Sequence, residues 1–417
     1  MSAKLEISQP LAKPFTSFVT ITYSHLPELL WWLGGPAAWA FQAARLVMFV
    51  FLLLPGFIPQ ALRYWWLSPH VWSCSYGESV RQRLDVYVAL GPDGQPVEGS
   101  GGAQAKVPIV LFVTGGAWII GYRMWGFLMA FALQKRGVAC VCIDYRNFPQ
   151  ARIPQMVDDV AEALDWVYAH AAQLGGSPYD ISLVGQSAGA HLSAMVLLRL
   201  MRGSKTSASA ARPPLRQFIG ISGPYDMPKI KHSLSKRGLH PGLIDSLACG
   251  ELAKASPSLL LPASGTRRRG PSAIIGDEGG STGGSTGVSI TGGSIGGSAE
   301  PAADDALTEE SSHPSTWPPV VLFHGTADQT VPWEQSRDFA VRLRACGATR
   351  VVEKYYEDKS HTDPILEDPI CGGDPLMADL LDLVLGPAER PAEQGLWPSF
   401  VPARHRIIQQ AKWINPF

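Results

Sequence analysis

The sequence has almost no net charge. Its 35 lysine and arginine residues are balanced by 36 aspartate and glutamate residues, which gives a formal charge of -1 at neutral pH. Charged residues together make up only 17% of the chain. A protein that gathers nucleic acid from a distance needs a strongly positive field. The composition therefore predicts no nucleic-acid partner.

Cysteine is scarce and scattered. None of the six cysteines has metal-ligand spacing; they are Cys74, Cys140, Cys142, Cys249, Cys346 and Cys371. Cys140 and Cys142 alternate along one apolar run, so their side chains share a face. We expect reduced core thiols rather than disulfides or a zinc site. We also expect no bound metal and no cofactor.

Asparagine is scarcer still, with Asn147 and Asn415 as the two examples. Neither has Ser or Thr two positions later, so the chain has no sequon for N-glycosylation. This favours the cytosolic side of any membrane that the protein uses.

A nearly uncharged apolar stretch lies near the start of the chain. Between residues 29 and 66, only Arg45 and Arg63 carry charge. Tryptophans lie toward both ends of the stretch, at Trp31, Trp32, Trp39, Trp65 and Trp66. Tryptophan is enriched where membranes meet water. We expect residues 29–66, within an N-terminal region of residues 1–78, to form an apolar helical segment that associates with a membrane.

The form of this segment is open. A helix that spans a bilayer needs about 20 apolar residues, but Arg45 precedes the apolar run at residues 46–58. Pro55, Gly56 and Pro59 are expected to break the helix. A re-entrant hairpin therefore competes with a true span, and a soluble cap of apolar helices is the remaining alternative.

Beyond residue 79, short runs rich in strand-forming residues alternate with amphipathic stretches. The runs are residues 84–90, 108–113, 138–143, 181–184, 218–221, 320–323 and 351–356. Continuous apolar runs are typical of strands buried on both faces of a parallel sheet. Between them, Met156, Val160, Leu164 and Val167 recur at helical spacing. The pattern predicts an α/β catalytic domain over residues 79–386, with a mostly parallel central sheet flanked by helices.

Residues 264–312 depart from this pattern. They contain three consecutive arginines at 267–269, a tract rich in Gly, Ser and Thr at 279–298, and an acidic run at 304–310. Such a composition cannot bury enough apolar surface to order itself. Because matching strands lie on both sides, we expect a disordered insertion within one domain. Residues 387–417 are expected to form a C-terminal tail.

The segment Gly185-Gln186-Ser187-Ala188-Gly189 matches the GxSxG nucleophile elbow. A predicted strand precedes it and a predicted helix follows it, which is the context that the elbow requires. Small neighbours are needed because the serine sits on a sharp, strained turn. The motif indicates an α/β-hydrolase fold with Ser187 as the nucleophile.

A serine hydroxyl needs a neighbouring base, and the base needs an acid that orients it. In this fold the chain order is serine, acid, histidine. Asp328 follows the predicted strand at 320–323, and His361 follows the next strand. We predict Asp328 as the acid and His361 as the base, with His405 as the alternative base. His191 and His324 are expected to have packing or bracing roles.

A glycine-rich turn, Thr114-Gly115-Gly116-Ala117-Trp118, follows the predicted strand at 108–113. It occupies the place of the HGGG-type turn of esterases. Backbone N–H groups of Gly116, Ala117 and Ala188 are predicted to stabilise the oxyanion of a transition state. Gly115 and Gln186 are predicted to take part in the same site. Together these motifs predict a serine carboxylesterase.

Five segments carry a resemblance to a known family: GGAWIIGY at 115–122, CIDYRNFPQ at 142–150, GQSAGAH at 185–191, LFHGTAD at 322–328, and KSHTD at 359–363 with DPICGG after it. The chain resembles the plant-type isoprenylcysteine α-carbonyl methylesterases over roughly residues 29–385. The resemblance implies hydrolysis of the methyl ester of a C-terminal prenylcysteine. It also implies a location at the endoplasmic reticulum or Golgi membrane, for which we expect the catalytic domain to face the cytosol.

The same resemblance suggests roles for further residues. Trp118, Trp125 and Phe148 are candidates for lining a prenyl groove, and ordinary core packing is the alternative for each. The segment Asp144-Tyr145-Arg146 is expected to brace the glycine-rich turn rather than to catalyse.

Two other functions use the same features. A broad-specificity carboxylesterase or an arylformamidase would share the triad and differ in the pocket. A receptor on the same fold would bind a small molecule without catalysis, although such proteins usually lose a triad residue.

Overall fold

The computed structural model describes residues 28, 31–32, 36–67, 70–97, 107–203, 213–236, 240, 242–262, 317–371, 375–386, 407 and 411. The predicted insertion at 264–312 and the candidate base His405 lie outside these residues, as does nearly all of the predicted tail.

A central sheet of eight strands organises the described residues. The strands are β1 (Val71–Ser75), β2 (Arg83–Tyr87), β3 (Val107–Val113), β4 (Ala139–Ile143), β5 (Gly176–Gln186), β6 (Gln217–Ile221), β7 (Val320–Gly325) and β8 (Val351–Tyr356). Their order is β1-β2-β4-β3-β5-β6-β7-β8. The pairs β1–β2 and β2–β4 are antiparallel and all other pairs are parallel. This arrangement confirms the predicted α/β-hydrolase fold.

The helices are α1 (Pro36–Leu67), α2 (Phe127–Gln134), α3 (Ile153–His170), α4 (Ala188–Met201), α5 (Met227–Lys236), α6 (Leu243–Leu247), α7 (Glu334–Ala345), α8 (Asp368–Cys371) and α9 (Pro375–Leu385). A short 3-10 helix, Arg123–Gly126, precedes α2, and a π-helix, Asp363–Glu367, precedes α8.

The strands present apolar side chains to two buried clusters. One cluster contains residues of α3, α4 and α7 with every second residue of β3, such as Ile109 and Leu111. The other contains residues of α1, α2 and α9 with the alternate positions, such as Val110 and Phe112. A strand turns successive side chains to opposite faces, so the sheet is covered by helices on both faces. The inner parallel strands β3 and β4 are therefore apolar along their length, which is why their predicted runs were continuous. The edge strand β8 contains Glu353 and Lys354 and is partly exposed.

Seven of the eight strands are confirmed, and β1 was missed. Its sequence Val-Trp-Ser-Cys-Ser is short and ends in an exposed residue. An edge strand with polar residues on one side has a weak apolar signal. The predicted helix around residues 156–167 is confirmed as α3.

The six cysteines are free thiols. Cys140 and Cys142 are buried, and both belong to the cluster that includes α1 and α2. The prediction that they share one face of β4 is confirmed. Cys249 is exposed, so the expectation of core placement is wrong for that residue.

Helix α1 continues through Pro55 and Pro59. The prediction that these prolines break the helix is wrong, and so is the re-entrant hairpin that it suggested. Both prolines lie on the exposed side of α1, where the carbonyl groups that lose a helical partner are not enclosed by protein. Phe49 and Leu53 are buried against the domain on the other side. Among the helices in the described part of the chain, none has the length and apolar character needed to cross a membrane.

Candidate active site

The nucleophile elbow joins β5 to α4. Ser187 has a φ of 52°, a region that residues with a β-carbon adopt rarely. Its backbone N–H donates to the carbonyl of Ile221 at 2.8 Å. A β-carbon added to Gly189 would lie 2.0 Å from the carbonyl oxygen of Val113. The elbow therefore packs directly on the end of β3, and glycine is required where the two segments touch.

Asp328 lies in the turn that follows β7. Its Oδ1 accepts the backbone N–H groups of Thr330 and Val331, each at 2.9 Å. Its Oδ2 lies 2.6 Å from Nδ1 of His361. These contacts fix the carboxylate in one orientation before any substrate binds.

His361 lies in the loop after β8. The backbone N–H of Ala327 donates to the carbonyl of Lys359 at 3.0 Å, so the loops after β7 and β8 are joined. A β-carbon on Gly325 would lie 2.1 Å from that same carbonyl oxygen. The close approach of the two loops places Asp328 and His361 side by side.

The imidazole of His361 links the acid to the serine. Its Nε2 lies 2.9 Å from Oγ of Ser187. Because the neighbour of Nδ1 is a carboxylate, Nδ1 carries the proton and Nε2 presents a lone pair to the serine hydroxyl. All three side chains are largely buried. The structure thus brings the predicted acid, base and serine into one hydrogen-bonded chain.

The acid is held in its charged form. Burial alone would raise the pKa of Asp328, but its hydrogen bonds and the imidazoles of His361 and His324 outweigh burial and lower the pKa below its ordinary value. An ionised carboxylate is what a base needs beside it when the base takes up a proton.

The loop after β3, residues 114–121, is called the β3 loop here. It approaches the elbow closely, because a β-carbon on Gly115 would lie 2.1 Å from Oε1 of Gln186 and 2.9 Å from Cβ of Ser187. Gly116 has a φ of 123°, and Ala117 has a φ of 50°. The structure therefore brings Gly115 and Gln186 beside Ser187, and Gly116 and Ala117 follow in the same strained loop. Ala188 is the first residue of α4, where a backbone N–H has no partner within the helix.

Trp118 fixes the far end of the strained turn. Its φ is also positive, at 63°, and its carbonyl accepts the backbone N–H of Phe148 at 2.8 Å. Its indole Nε1 donates to Nδ1 of His191 at 3.2 Å. Trp118 and Phe148 are buried, whereas 51% of Trp125 is exposed. The three candidate groove residues therefore do not form one continuous exposed surface.

A buried ionic cluster supports the β3 loop, and sequence reasoning missed most of it. Arg123 contacts Asp85 at 2.8 Å and also pairs with Asp144. Arg81 and Asn147 donate to the carbonyl of Gly121. The sequence contains one indication of this cluster, which is that Arg123 lies inside the apolar stretch 122–133.

The segment 144–146 braces the loop as expected. The hydroxyl of Tyr145 donates to the carbonyl of Thr114 at 3.3 Å, and Oδ1 of Asp144 accepts the backbone N–H of Arg123 at 2.7 Å. Arg146 pairs with Asp159 of α3 at 2.6 Å. The side chain that contacts the serine hydroxyl is instead that of His361. Over the residues that the structure describes, no cluster of His, Cys, Asp and Glu side chains is arranged to hold a metal ion.

Known proteins match both the chain and its catalytic segment. Residues 100–246 match the protein family described as BD-FAE. A probable isoprenylcysteine alpha-carbonyl methylesterase of Arabidopsis thaliana is 33% identical over 402 residues, which is 94% of this chain and 71% of the relative. A probable methylesterase of the same name from Oryza sativa subsp. japonica is 34% identical over 93% of this chain and 80% of its own length.

The chain belongs to this methylesterase family. It is a serine esterase, a hydrolase of carboxylic esters. Among solved structures, the apo form of esterase 2 of Thermogutta terrifontis is 20% identical, with a TM-score of 0.49 over 76% of this chain and 96% of that protein.

Proposed function

We propose that this methylesterase-family chain hydrolyses the methyl ester of a C-terminal prenylcysteine, with Ser187, His361 and Asp328 as its catalytic residues. The observation that carries the proposal is the chain of hydrogen bonds from Ser187 Oγ to His361 at 2.9 Å and from His361 to Asp328 at 2.6 Å. The proposed substrate is taken from the names of the relatives, whose sequences match most of this chain.

The reaction starts with attack by Oγ of Ser187 on the ester carbonyl carbon, while Nε2 of His361 takes the hydroxyl proton. Asp328 stabilises the imidazolium that forms. Backbone N–H groups of Gly116, Ala117 and Ala188 hold the oxyanion, and one such donor is typically worth about 3 kcal/mol of barrier.

Collapse of the tetrahedral intermediate expels methanol, which receives its proton from His361. A water molecule then attacks the acyl-enzyme and gives a proton to His361. A second collapse releases the carboxylate product and restores the hydroxyl of Ser187.

An active-site probe tests the catalytic part of this proposal. A fluorophosphonate should label the wild-type protein at Ser187 and should not label Ser187→Ala. Equal labelling of the two proteins contradicts the assignment of the nucleophile. Absence of labelling in both, with the wild type folded, favours the receptor function instead.

A substrate panel tests the choice of ester. Farnesylcysteine methyl ester should be turned over with a higher kcat/KM than a short-chain acyl ester or formylkynurenine. A preference for either of the last two substrates favours a broad carboxylesterase or an arylformamidase.

We further propose that Trp125 contacts the prenyl chain. It is the exposed member of the three candidate groove residues, and its indole Nε1 donates to the carbonyl of Ile120, in the β3 loop, at 3.0 Å. Trp125→Ala should raise KM for farnesylcysteine methyl ester and leave KM for a short-chain ester unchanged. An equal change for both substrates contradicts this role.

We propose that the outer face of α1 binds a lipid membrane. Apolar side chains recur along that face at spacings of three and four residues, at Val47, Phe51, Leu54, Ile58 and Leu62. Phe51 is 64% exposed and Leu62 is 62% exposed. An apolar helix face that lies in the membrane interface gains free energy from burial without spanning the bilayer.

Vesicle flotation tests the lipid contact. Replacing Phe51 and Ile58 with serine should lower binding to phosphatidylcholine vesicles by about a hundredfold or more, because two large apolar side chains are lost and each contributes about 2 kcal/mol when buried. The matched control replaces the exposed Tyr179, which lies on β5. Undiminished flotation of the α1 variant contradicts the proposal.

We propose that in the cell the protein lies at the endoplasmic reticulum or Golgi membrane, with the catalytic domain on the cytosolic side. The six free thiols and the absence of a glycosylation sequon support the cytosolic side. Protease added to intact microsomes should digest the catalytic domain. Protection until detergent is added contradicts this orientation.

A further inference from the structure

A second imidazole contacts the acid of the triad. Nε2 of His324, on β7, lies 3.1 Å from Oδ2 of Asp328, the same oxygen that His361 contacts. Nε2 of His324 also lies 2.9 Å from the carbonyl oxygen of Val331. Its Nδ1 lies 2.7 Å from Oγ of Ser336, on α7. Both His324 and Ser336 are fully enclosed by the protein.

The neighbours of His324 determine which nitrogen carries the proton. Nε2 faces a carboxylate and a carbonyl, which are acceptors only. It therefore carries a hydrogen, and Nδ1 accepts the hydroxyl hydrogen of Ser336. The result is a second serine–histidine pair, Ser336 with His324, at the same Asp328 oxygen that the Ser187–His361 pair contacts.

Asp328 consequently receives four donors. Thr330 and Val331 supply two backbone N–H groups to Oδ1, and the two imidazoles supply N–H groups to Oδ2. A carboxylate that accepts several hydrogen bonds is stabilised in its charged form. The hydrogen bond from His324 acts in this direction and helps to lower the pKa of Asp328.

We propose that His324 is a positioning residue of the esterase reaction, which acts on His361 through the Asp328 oxygen that the two imidazoles share. This inference rests on the proposed function of Ser187, His361 and Asp328. The N–H of His324 fixes Oδ2 toward His361 and withdraws negative charge from it. His324 thereby limits how strongly Asp328 stabilises the imidazolium that forms on His361 during the reaction.

The other charged groups near this site are already engaged. Lys359, in the loop after β8, pairs with Asp368 at 2.6 Å. The Asp363 carboxylate accepts the backbone N–H of Ser360 at 2.7 Å. The side chains that face His324 from α7 include Ser336, which is neutral. The titratable groups that act on Asp328 are therefore chiefly the two imidazoles.

Two amide variants separate a positioning role from a packing role. In His324→Gln the amide nitrogen can take the place of Nε2 and donate to Asp328. In His324→Asn the shorter side chain places its amide near Nδ1, where it reaches Ser336 but not Asp328. Both variants are uncharged and polar, so they make similar demands on folding. The substrate is a short-chain p-nitrophenyl ester, which avoids any effect on a prenyl pocket.

His324→Asn should lower kcat by about tenfold or more with little change in KM, since small misplacements of a catalytic group have effects of this size. Its acid limb of kcat/KM should move to higher pH by roughly half a pH unit. The shift is toward higher pH because Oδ2 regains negative charge when it loses the N–H of His324, and this charge stabilises the imidazolium of His361. Oδ1 stays held by Thr330 and Val331. His324→Gln should restore kcat to within about threefold of the wild type.

Equal kcat values and equal pH profiles for the Gln and Asn variants overturn the inference, as does wild-type behaviour of the Asn variant. Failure of the proposed function is distinguishable, because it appears as retained esterase activity in Ser187→Ala. If the Asn variant does not fold, Ser336→Ala supplies the second measurement. Loss of the Ser336 hydroxyl should shift the same acid limb, and an unchanged limb contradicts the proposal.

Discussion

The indole Nε1 of Trp118 donates a hydrogen bond to Nδ1 of His191 at 3.2 Å. Trp118 belongs to the strained β3 loop, and His191 lies on α4, one turn after Ser187. Nε2 of His191 lies 2.7 Å from the carbonyl oxygen of Ala255, so it carries the proton and leaves Nδ1 to accept. One buried imidazole therefore connects the β3 loop to the helix that begins directly after the nucleophile.

Removing the acceptor on His191 should reduce catalysis. His191→Leu leaves the buried N–H of Trp118 without a partner, which costs about 1–3 kcal/mol and loosens the β3 loop. We expect kcat for a short-chain ester to fall by about tenfold while KM stays unchanged. His191→Asn retains an acceptor near Nδ1 and should recover most of the activity. A double-mutant cycle with Trp118→Phe should show coupling, and additive effects contradict the proposed connection.

The same histidine should make stability depend on pH. Burial lowers the pKa of His191 from 6.5 to about 4. A depressed histidine pKa means that the unfolded chain binds the proton more tightly, so stability is full above pH 6.5 and is lost as the pH falls toward 4. The loss attributable to His191 is about 3 kcal/mol. Urea unfolding between pH 7 and 4 should show a shallower acid decline for His191→Asn, and identical declines contradict the assignment.

Arg123 should be essential for stability. Its guanidinium is buried with Asp85 and Asp144 as partners. Arg123→Met leaves the buried carboxylate of Asp85 without its ion-pair partner and leaves Asp144 with Arg81 at 3.8 Å, which should lower the free energy of unfolding by about 3–5 kcal/mol. The matched control is Arg199→Met. Arg199 pairs with Asp158 on the surface, and its loss should change stability by about 1 kcal/mol or less. Equal losses in urea unfolding contradict this contrast.

Gly189 should not accept a side chain. A β-carbon there would lie 2.0 Å from the Val113 carbonyl oxygen, so Gly189→Ala must separate the elbow from β3. We expect loss of soluble, active protein. Gly203→Ala is the control, because its φ is 65° but no atom lies within 4 Å of the added carbon. The control should lose only about 1–2 kcal/mol of stability. A stable, active Gly189→Ala protein contradicts the geometry of the elbow.

His361→Ala should lose about four or more decades of kcat while the melting temperature changes little. The reason is that the serine hydroxyl loses the group that takes its proton. His405→Ala is the comparison, since His405 was the alternative base, and it should retain activity. Full activity in His361→Ala, together with loss of activity in His405→Ala, would identify His405 as the base.

Much of the fold and the positions of the triad residues in the chain could be predicted from the sequence alone. Continuous apolar runs predicted the buried parallel strands, because a strand covered on both faces has no polar side. The elbow around Ser187 and the chain order of Asp328 and His361 followed from local motifs after those strands. Helix α1 was misjudged at Pro55 and Pro59, because residue preferences carry no information about which side of a helix is exposed.

Tertiary structure decided the contacts between distant residues. The pairings of His324 with Ser336, of Trp118 with His191, and of Arg123 with Asp85 each join separate elements. Sequence periodicity reports which side chains are buried, but not which of them meet. That depends on the register of the strands and on loops with positive φ, such as residues 116–118. The sequence therefore determined the chemistry that is available, and the packing of the sheet determined which groups act together.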